Sequence, residues 1–418
     1  MEVMKNSGLK WIGAIPSDWK ITRIKYMSFL KGRIGWQGLT SEEYQDDGAY
    51  LITGVDFLDG GIDWENCVHV PMKRWEEAKD IQIQNGDLLI TKDGTIGKVA
   101  IVSDMPGETS LNSGVLRIIP FEGYSRRFLY WVLQSDEFWN WFNYKNAGNS
   151  TIVHLYQGDF AEFYYAFPDY QEQESIADYL DKHCAKLDKI IADLERQIEL
   201  LQKYKKSLIT ETVTKGLNKN VEMKDSGITW VGAIPKDWII TKVKYLCNMR
   251  SGDNLVSEDI QEDSDYPVYG GNGVRGYVDH FTNDGMYPII GRQGALAGNV
   301  HIVDGKFWAT DHAVVVYCHD NFDKMFAYYL FQAMNLNQYA YETAAQPGLA
   351  VIKLLNLKCC VPEDKNIQKK IATFLNEKCS VANNIIQRKE SMLQVLTKCK
   401  ASFVYEYVTG KKRVKEAK

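Results

Sequence analysis

Few of the residues that usually carry chemistry stand here at spacings that would let them do so. The 7 histidines are dispersed, and His312, Cys318 and His319 form the one short stretch that clusters three imidazole and thiol groups. None of the 8 cysteines (Cys67, Cys184, Cys247, Cys318, Cys359, Cys360, Cys379 and Cys399) forms a C-x-x-C pair. A zinc ribbon or a disulfide framework is therefore not expected, and reduced, mostly buried thiols are. No G-x-x-x-x-G-K-[ST] phosphate loop occurs. The fragment Gly94-x-x-Gly97-Lys98 has the wrong spacing and reads as strand–turn–strand, so ATP hydrolysis by this chain is not expected. The 10 prolines include no adjacent pair, which excludes an Asn-Pro-Pro-Tyr motif of the type that holds a target base in amino-methyltransferases. Scattered carboxylates can be paired in so many ways that no pair marks a general acid and base. These residues read as those of a binder.

The totals narrow the class. A chain of 418 residues has room for more than one core. Its net charge of −5 gives no bulk attraction to a polyanion, so any basic surface must be local. Met1 to Pro16 lacks the charged start and apolar run of a signal peptide. No apolar run approaches the roughly 18 residues that a membrane helix needs. A cytoplasmic protein is expected.

The elements that must position any binding residues are repeated. Ser7-Gly8-Leu9-Lys10-Trp11-Ile12-Gly13-Ala14-Ile15-Pro16-Ser17-Asp18-Trp19 returns as Ser226-Gly227-Ile228-Thr229-Trp230-Val231-Gly232-Ala233-Ile234-Pro235-Lys236-Asp237-Trp238, 219 positions later. From residue 6 to residue 26, 13 of 21 positions are identical, which marks an internal duplication. A second match, Ile176-Ala177, Leu180 and Cys184 with Ile371-Ala372, Leu375 and Cys379, is displaced by 195. The middles of the two copies therefore differ in length, and they have diverged.

Each copy ends in a long amphipathic stretch. From about Gln173 to Thr214, Ile176, Leu180, Leu187, Ile190, Leu194, Ile198, Leu201, Tyr204 and Leu208 make one stripe, with Gly216 placed as a stop. A helix of about 40 residues would be about 60 Å long. A second helix, starting near Lys369, carries Ile371, Leu375, Ala382, Ile385, Leu396 and Phe403. Two such stripes are expected to pack antiparallel as a coiled-coil spacer, with the copies related by an approximate two-fold axis.

The middles read as α+β. Strands are expected at 86–91, 94–102 and 114–119 in copy one, and at 287–292, 294–303 and 313–317 in copy two. Aromatic helical segments should follow, near Phe128 to Phe142 and Phe326 to Tyr341.

The duplicated Ser-Gly-x-x-Trp-x-Gly-x-Ile-Pro-x-x-Trp opening resembles that of the specificity (S) subunits of Type I restriction–modification systems. So do the paired long helices, entered from Pro168 to Ile176 and from Pro362 to Ile371, and the segment Tyr266-Pro267-Val268-Tyr269-Gly270-Gly271-Asn272-Gly273-Val274-Arg275-Gly276-Tyr277. The resemblance covers nearly the whole chain. It implies target recognition domains at 1–170 and 218–364, a central spacer helix at 171–217, and a C-terminal spacer helix with a basic tail at 365–418. Each domain would read one half of an asymmetric bipartite site on double-stranded DNA. The helices, through Ile176, Leu180, Leu187, Leu194, Leu201, Ile371, Leu375, Ile385 and Leu396, would form the spacer and dock two methyltransferase (M) subunits and, through them, restriction (R) subunits. The chain itself would hold no catalytic residue, metal or cofactor; S-adenosylmethionine would belong to the M subunits, and ATP with magnesium to the R subunits. A self-contained DNA-modifying enzyme and a scaffold that binds only proteins are the competing readings.

Under this resemblance the candidate DNA contacts are polar residues on loops flanking the strands, because donors and acceptors read base edges and cations hold phosphates. In copy one they are Lys92, Asp93, Thr95, Lys98, Asn112, Asn149, Ser150 and Thr151. In copy two they are Asn272, Arg275, Arg292, Gln293, His312 and Gln346. Arg275 and Arg292 lead, since a guanidinium fork suits both guanine and phosphate. Any of these residues reads equally as a solvated loop charge or a turn former. Lys203, Lys205, Lys206 and the tail Lys411-Lys412-Arg413-Val414-Lys415 could approach phosphates, but cations near a helix C-terminus also complement its dipole.

Overall fold

The computed structural model describes residues 3–33, 39–147, 154–294, 296–343 and 346–414, with the backbone alone at 341–343, 346 and 347. The chain divides into two units, Met1–Asp193 with Met392–Lys418, and Leu194–Ser391.

The first unit is built on a four-stranded antiparallel sheet. Its strands are β1 (Ser28–Gly32), β2 (Leu88–Thr91), β3 (Val99–Ile101) and β4 (Val115–Pro120), in the order β3-β2-β4-β1. Alternation decides what each face buries. Leu88, Ile90, Leu116 and Ile118 face helices α1 (Arg126–Gln134) and α2 (Asp136–Lys145), against Phe128, Leu129, Val132 and Phe138. Leu89, Ala100 and Val115 face the other way, toward Ile52, Ile81 and Leu111. Both faces are covered, so the strands are apolar almost throughout. The aromatic segment divides at Ser135, whose hydroxyl accepts from Glu137 N at 3.2 Å and caps α2.

The second unit repeats this sheet with β5 (Cys247–Ser251), β6 (Tyr287–Gly291), β7 (Val300–Val303) and β8 (Ala313–Cys318), in the order β7-β6-β8-β5. Ile290, Val314 and Val316 pack on Phe326 and Leu330 of helix α4 (Lys324–Ala333), while Ile289, Ala313 and Val315 pack on Phe307 and Ala309. The helix stops short of the expected Tyr341. Asn335 takes a left-handed conformation (φ 48°), and Tyr341–Thr343 is a strand.

The repeated opening has the same structure in both copies. Lys5 Nζ donates to the carbonyls of Ser17 (2.8 Å) and Trp19 (2.6 Å). Lys224 Nζ donates to those of Lys236 (2.7 Å) and Trp238 (2.6 Å). Trp19 and Trp238 are buried.

Two long helices contribute to both units: α3 (Tyr170–Lys215, 46 residues) and α5 (Lys365–Val408, 44 residues). They end at Gly216 and Gly410, whose φ of 73° and 69° suits glycine and stops each helix. In the first unit Tyr179 meets Tyr407 (ring centroids 4.8 Å apart) and Asp188 meets Lys400 (2.5 Å). In the second, Gln197 pairs with Lys389 (2.5 Å) and Lys205 with Asn383 (2.8 Å). Numbers rise on one helix as they fall on the other, so the segments pack antiparallel within each unit. Ile176, Leu180, Leu194, Ile371 and Leu375 are buried, and Leu187, Leu201 and Leu396 are half-buried. The packed stripe departs from the expected one at Ile190, Tyr204 and Ile385, which are exposed. Ile386 turns inward instead of Ile385, because a 3.6-residue turn drifts against a seven-residue pattern.

Candidate nucleic-acid interface

The same three backbone hydrogen bonds build one end of the sheet in each unit. Lys92 N donates to Gly114 O (2.8 Å), Gly97 N to Thr91 O (2.9 Å) and Leu155 N to Lys92 O (3.0 Å). In the second unit Arg292 N donates to His312 O (2.8 Å), Gly298 N to Gly291 O (2.8 Å) and Leu349 N to Arg292 O (2.9 Å). A loop after the second strand, a turn before the fourth, and the segment leading toward the long helix are thereby tied together. Lys92 corresponds to Arg292, Lys98 to Asn299, and Gly114 to His312. The frame is shared and the side chains differ.

In the first unit this frame gathers Lys92, Asp93, Thr95, Lys98 and Asn112. Thr95 and Lys98 are exposed; Thr95 Oγ1 donates to Gly54 O at 3.3 Å, and Lys98 Nζ lies 3.5 Å from Phe57 O. Asn112 works mainly as a turn former: its Oδ1 accepts from Gly114 N (2.9 Å) and its Nδ2 donates to Tyr44 OH (3.1 Å). His154 Nδ1 and Asp93 Oδ1 are 2.6 Å apart. His154 escaped the sequence reading because its partner lies 61 positions away. Asn149, Ser150 and Thr151 lie outside the described residues.

In the second unit Asn272, Arg275, Gln293 and His312 line one open groove of about 490 Å3, together with glycines and the apolar Val274 and Leu296. Arg275 is exposed and forms no ion pair among the described residues. Asn272 Oδ1 accepts from Asn299 Nδ2 at 2.8 Å. Arg292 adjoins the groove but its guanidinium is engaged: Nε donates to Leu349 O (3.2 Å) and Nη1 to Ser251 Oγ (3.1 Å). His312 Nε2 is 3.8 Å from the Asp311 carboxylate. His301, beside Gly273, is held below the ordinary imidazole range by burial. Gln346 lies on the strand Gln346–Gly348, whose Gly348 bridges Gln293.

His312, Cys318 and His319 do not converge. Strand β8 separates His312 from Cys318 and His319 by about 20 Å, with Cys318 packed against the core and His319 Nδ1 3.3 Å from Tyr245 O. Among the described residues no group of three or more His, Cys, Asp or Glu side chains is placed to hold a metal ion. No helix among them is long and apolar enough to cross a membrane.

The basic tail is largely spent inside the first unit. Lys411 Nζ donates to Ile12 O (2.7 Å), Lys412 pairs with Glu406 (2.7 Å), and Arg413 pairs with Asp18 and Glu172. On α3, Lys203 pairs with Glu199 (2.5 Å), Lys205 with Asn383, and Lys206 lines a cavity with Tyr328 and Tyr329. Lys415 lies outside the described residues.

Comparison with known proteins gives this geometry a setting. The family described as Type I restriction modification DNA specificity domain matches residues 16–200 and 235–394. The chain is similar to the Type I restriction enzyme EcoprrI specificity subunit of Escherichia coli, with 44% identity over 146 residues, which is 34% of this chain and 36% of that protein. It is similar along its length to the Type I restriction enzyme MjaVIII specificity subunit of Methanocaldococcus jannaschii, with 24% identity over 96% of this chain and 94% of that one. A solved structure titled for complex assembly and conformational transition of the type I R-M system shares the fold, with a TM-score of 0.66 and 13% identity over 95% of this chain and 99% of that chain. The two matched segments, the doubled frame and the paired long helices agree: the chain belongs to the Type I restriction modification DNA specificity domain family, that of the type I specificity subunits.

Proposed function

We propose that the chain is the DNA-reading subunit of a type I complex, recognising an asymmetric bipartite site on double-stranded DNA and performing no catalysis itself. The observation that carries this reading is the shared frame with unlike side chains. One backbone arrangement presents Lys92, Thr95 and Lys98 in the first unit and Gln293 and His312 in the second, where Arg275 lines the same groove from a neighbouring hairpin. Two readers of one design with different donors and acceptors suit two unlike half-sites. The long helices support the assigned partners. Beyond their packed stripes they expose Ile190, Met392 and Val395 in the first unit and Leu200, Tyr204, Val381 and Ile385 in the second. Such surfaces suit docking of two methyltransferase subunits, with restriction subunits joining through them. S-adenosylmethionine would bind to the methyltransferase subunits, and ATP with magnesium to the restriction subunits. The site of action is the cytoplasm, where the DNA is.

The test is methylome sequencing of the host with and without the gene. Loss of one N6-methyladenine motif made of two unlike halves around a fixed gap is expected. A motif with identical halves would contradict the asymmetry, and an unchanged methylome in cells with active methyltransferase subunits would contradict the reading itself.

A further inference from the structure

In both units the turn beside the candidate interface carries an exposed valine. The two turns correspond, because Asn112 N donates to Ile52 O and Thr310 N to Tyr269 O, each at 2.9 Å, where a parallel strand pair ends. Val55 is 82% exposed, more than any other large apolar side chain among the described residues. Val274 is 50% exposed, and Leu296, across the same groove, is 47% exposed.

Neither turn is loose. The buried Asp56 carboxylate accepts from Thr53 N (2.7 Å) and Thr53 Oγ1 (2.9 Å), and Thr95 binds the carbonyl of Gly54 from the neighbouring loop. In the second unit Gly270 pairs with Gly273, and a Cβ on Gly270 would stand 2.4 Å from Arg275 Cδ, so only glycine lets the arginine lie across the turn. Chain order is thus used to hold methyl groups in water, next to Lys98 and Thr95 in one unit and to Arg275 and Gln293 in the other. A rigid apolar tip among cations and donors matches one feature of duplex DNA, the thymine C5-methyl group on the floor of the major groove.

We infer that Val55 in the first unit, and Val274 with Leu296 in the second, are specificity determinants that read thymine methyl groups. This rests on the DNA-reading function proposed above. The methyl contact discriminates thymine from cytosine without a hydrogen bond, while the polar neighbours fix register.

The experiment uses the complete complex of this chain with its methyltransferase subunits, on duplexes carrying the methylated target found in the host. Each thymine of the two half-sites is replaced in turn by uracil, which keeps base pairing and removes only the methyl group. In each half-site one replacement is expected to slow methylation about fourfold, the effect of one buried methyl-sized group. The Val55→Ala complex loses that discrimination in one half-site only, and the Val274→Ala and Leu296→Ala complexes in the other. Discrimination unchanged in these variants, or no effect of any uracil, overturns the inference, as does a target without thymine in either half. A complex that methylates no bipartite target overturns the DNA-reading function itself, and this inference with it.

Discussion

Gln173 and Gln368 occupy one position in the two copies and share two bonds, to which Gln368 adds a third, from Nε2 to Asn321 O at 3.1 Å. Gln173 Oε1 accepts from Ser125 N at 2.8 Å and its Nε2 donates to Pro168 O at 3.0 Å. Gln368 Oε1 accepts from Asp323 N at 2.8 Å, and its Nε2 donates to Pro362 O at 2.9 Å. Each buried amide joins the N-cap of a globule helix to the proline that precedes a long helix. Leucine at either position leaves a buried N–H and a buried carbonyl short of partners, at a cost of about 1–3 kcal/mol. Thermal unfolding of the variants should drop by about 2–4 °C per kcal/mol. Variants as stable as the parent would mean that water satisfies these groups.

Glu137 sets a pH dependence. It is fully buried, its Oε1 accepts weakly from Ala166 N (3.3 Å), and Oε2 has no partner among the described residues. Burial pushes its carboxyl up to about 8, opposed by the Ala166 N–H and by Lys411. The folded chain therefore holds this proton more tightly than the unfolded chain does. Its contribution to stability is fully present below the ordinary pKa of 4.5 and is lost as pH rises toward 8. Denaturation midpoints of parent and Glu137→Gln should converge at acidic pH, with the parent falling behind as pH approaches 8. Parallel curves would refute a neutral Glu137.

Neighbouring residues on α5 should separate folding from assembly. Ile386 is buried and Ile385 is exposed. Ile386→Asp places an unpaired charge in the packed stripe and should cost more than about 3 kcal/mol. Ile385→Asp should stay within about 0.5 kcal/mol of the parent yet reduce co-purification with methyltransferase subunits. Normal assembly of Ile385→Asp, with melting unchanged, would place docking elsewhere.

The two leading arginines should behave differently. Arg275→Ala leaves stability unchanged and relaxes recognition at one base pair by about 1–3 kcal/mol if the contact is to guanine. Contact with phosphate would instead weaken all sequences alike and lower the salt slope. Arg292→Ala removes bonds to Leu349 O and Ser251 Oγ, so it should lower the melting temperature of the free chain as well as DNA affinity. Equal effects of both substitutions on melting would contradict the difference in their surroundings.

Local pattern was enough for much of the fold. The duplication, the long helices and the apolar strands at Leu88–Thr91, Val115–Pro120 and Ala313–Cys318 all rest on spacing within a few turns or strands, which neighbours in sequence determine. Family membership followed from the same motifs.

The sequence alone therefore determined that two similar α+β units carry two long helices. Tertiary structure decided which residues stand free at the sheet ends. It joined Lys92 to Leu155 and Arg292 to Leu349, engaged the Arg292 fork while leaving Arg275 open, and absorbed the basic tail into the first unit. It turned Ile386 inward instead of Ile385, and it raised Val55 on a turn held by a buried aspartate. The physical reason is the same in each case. Periodicity reports a residue's face on its own element, whereas availability depends on what distant segments bring against it.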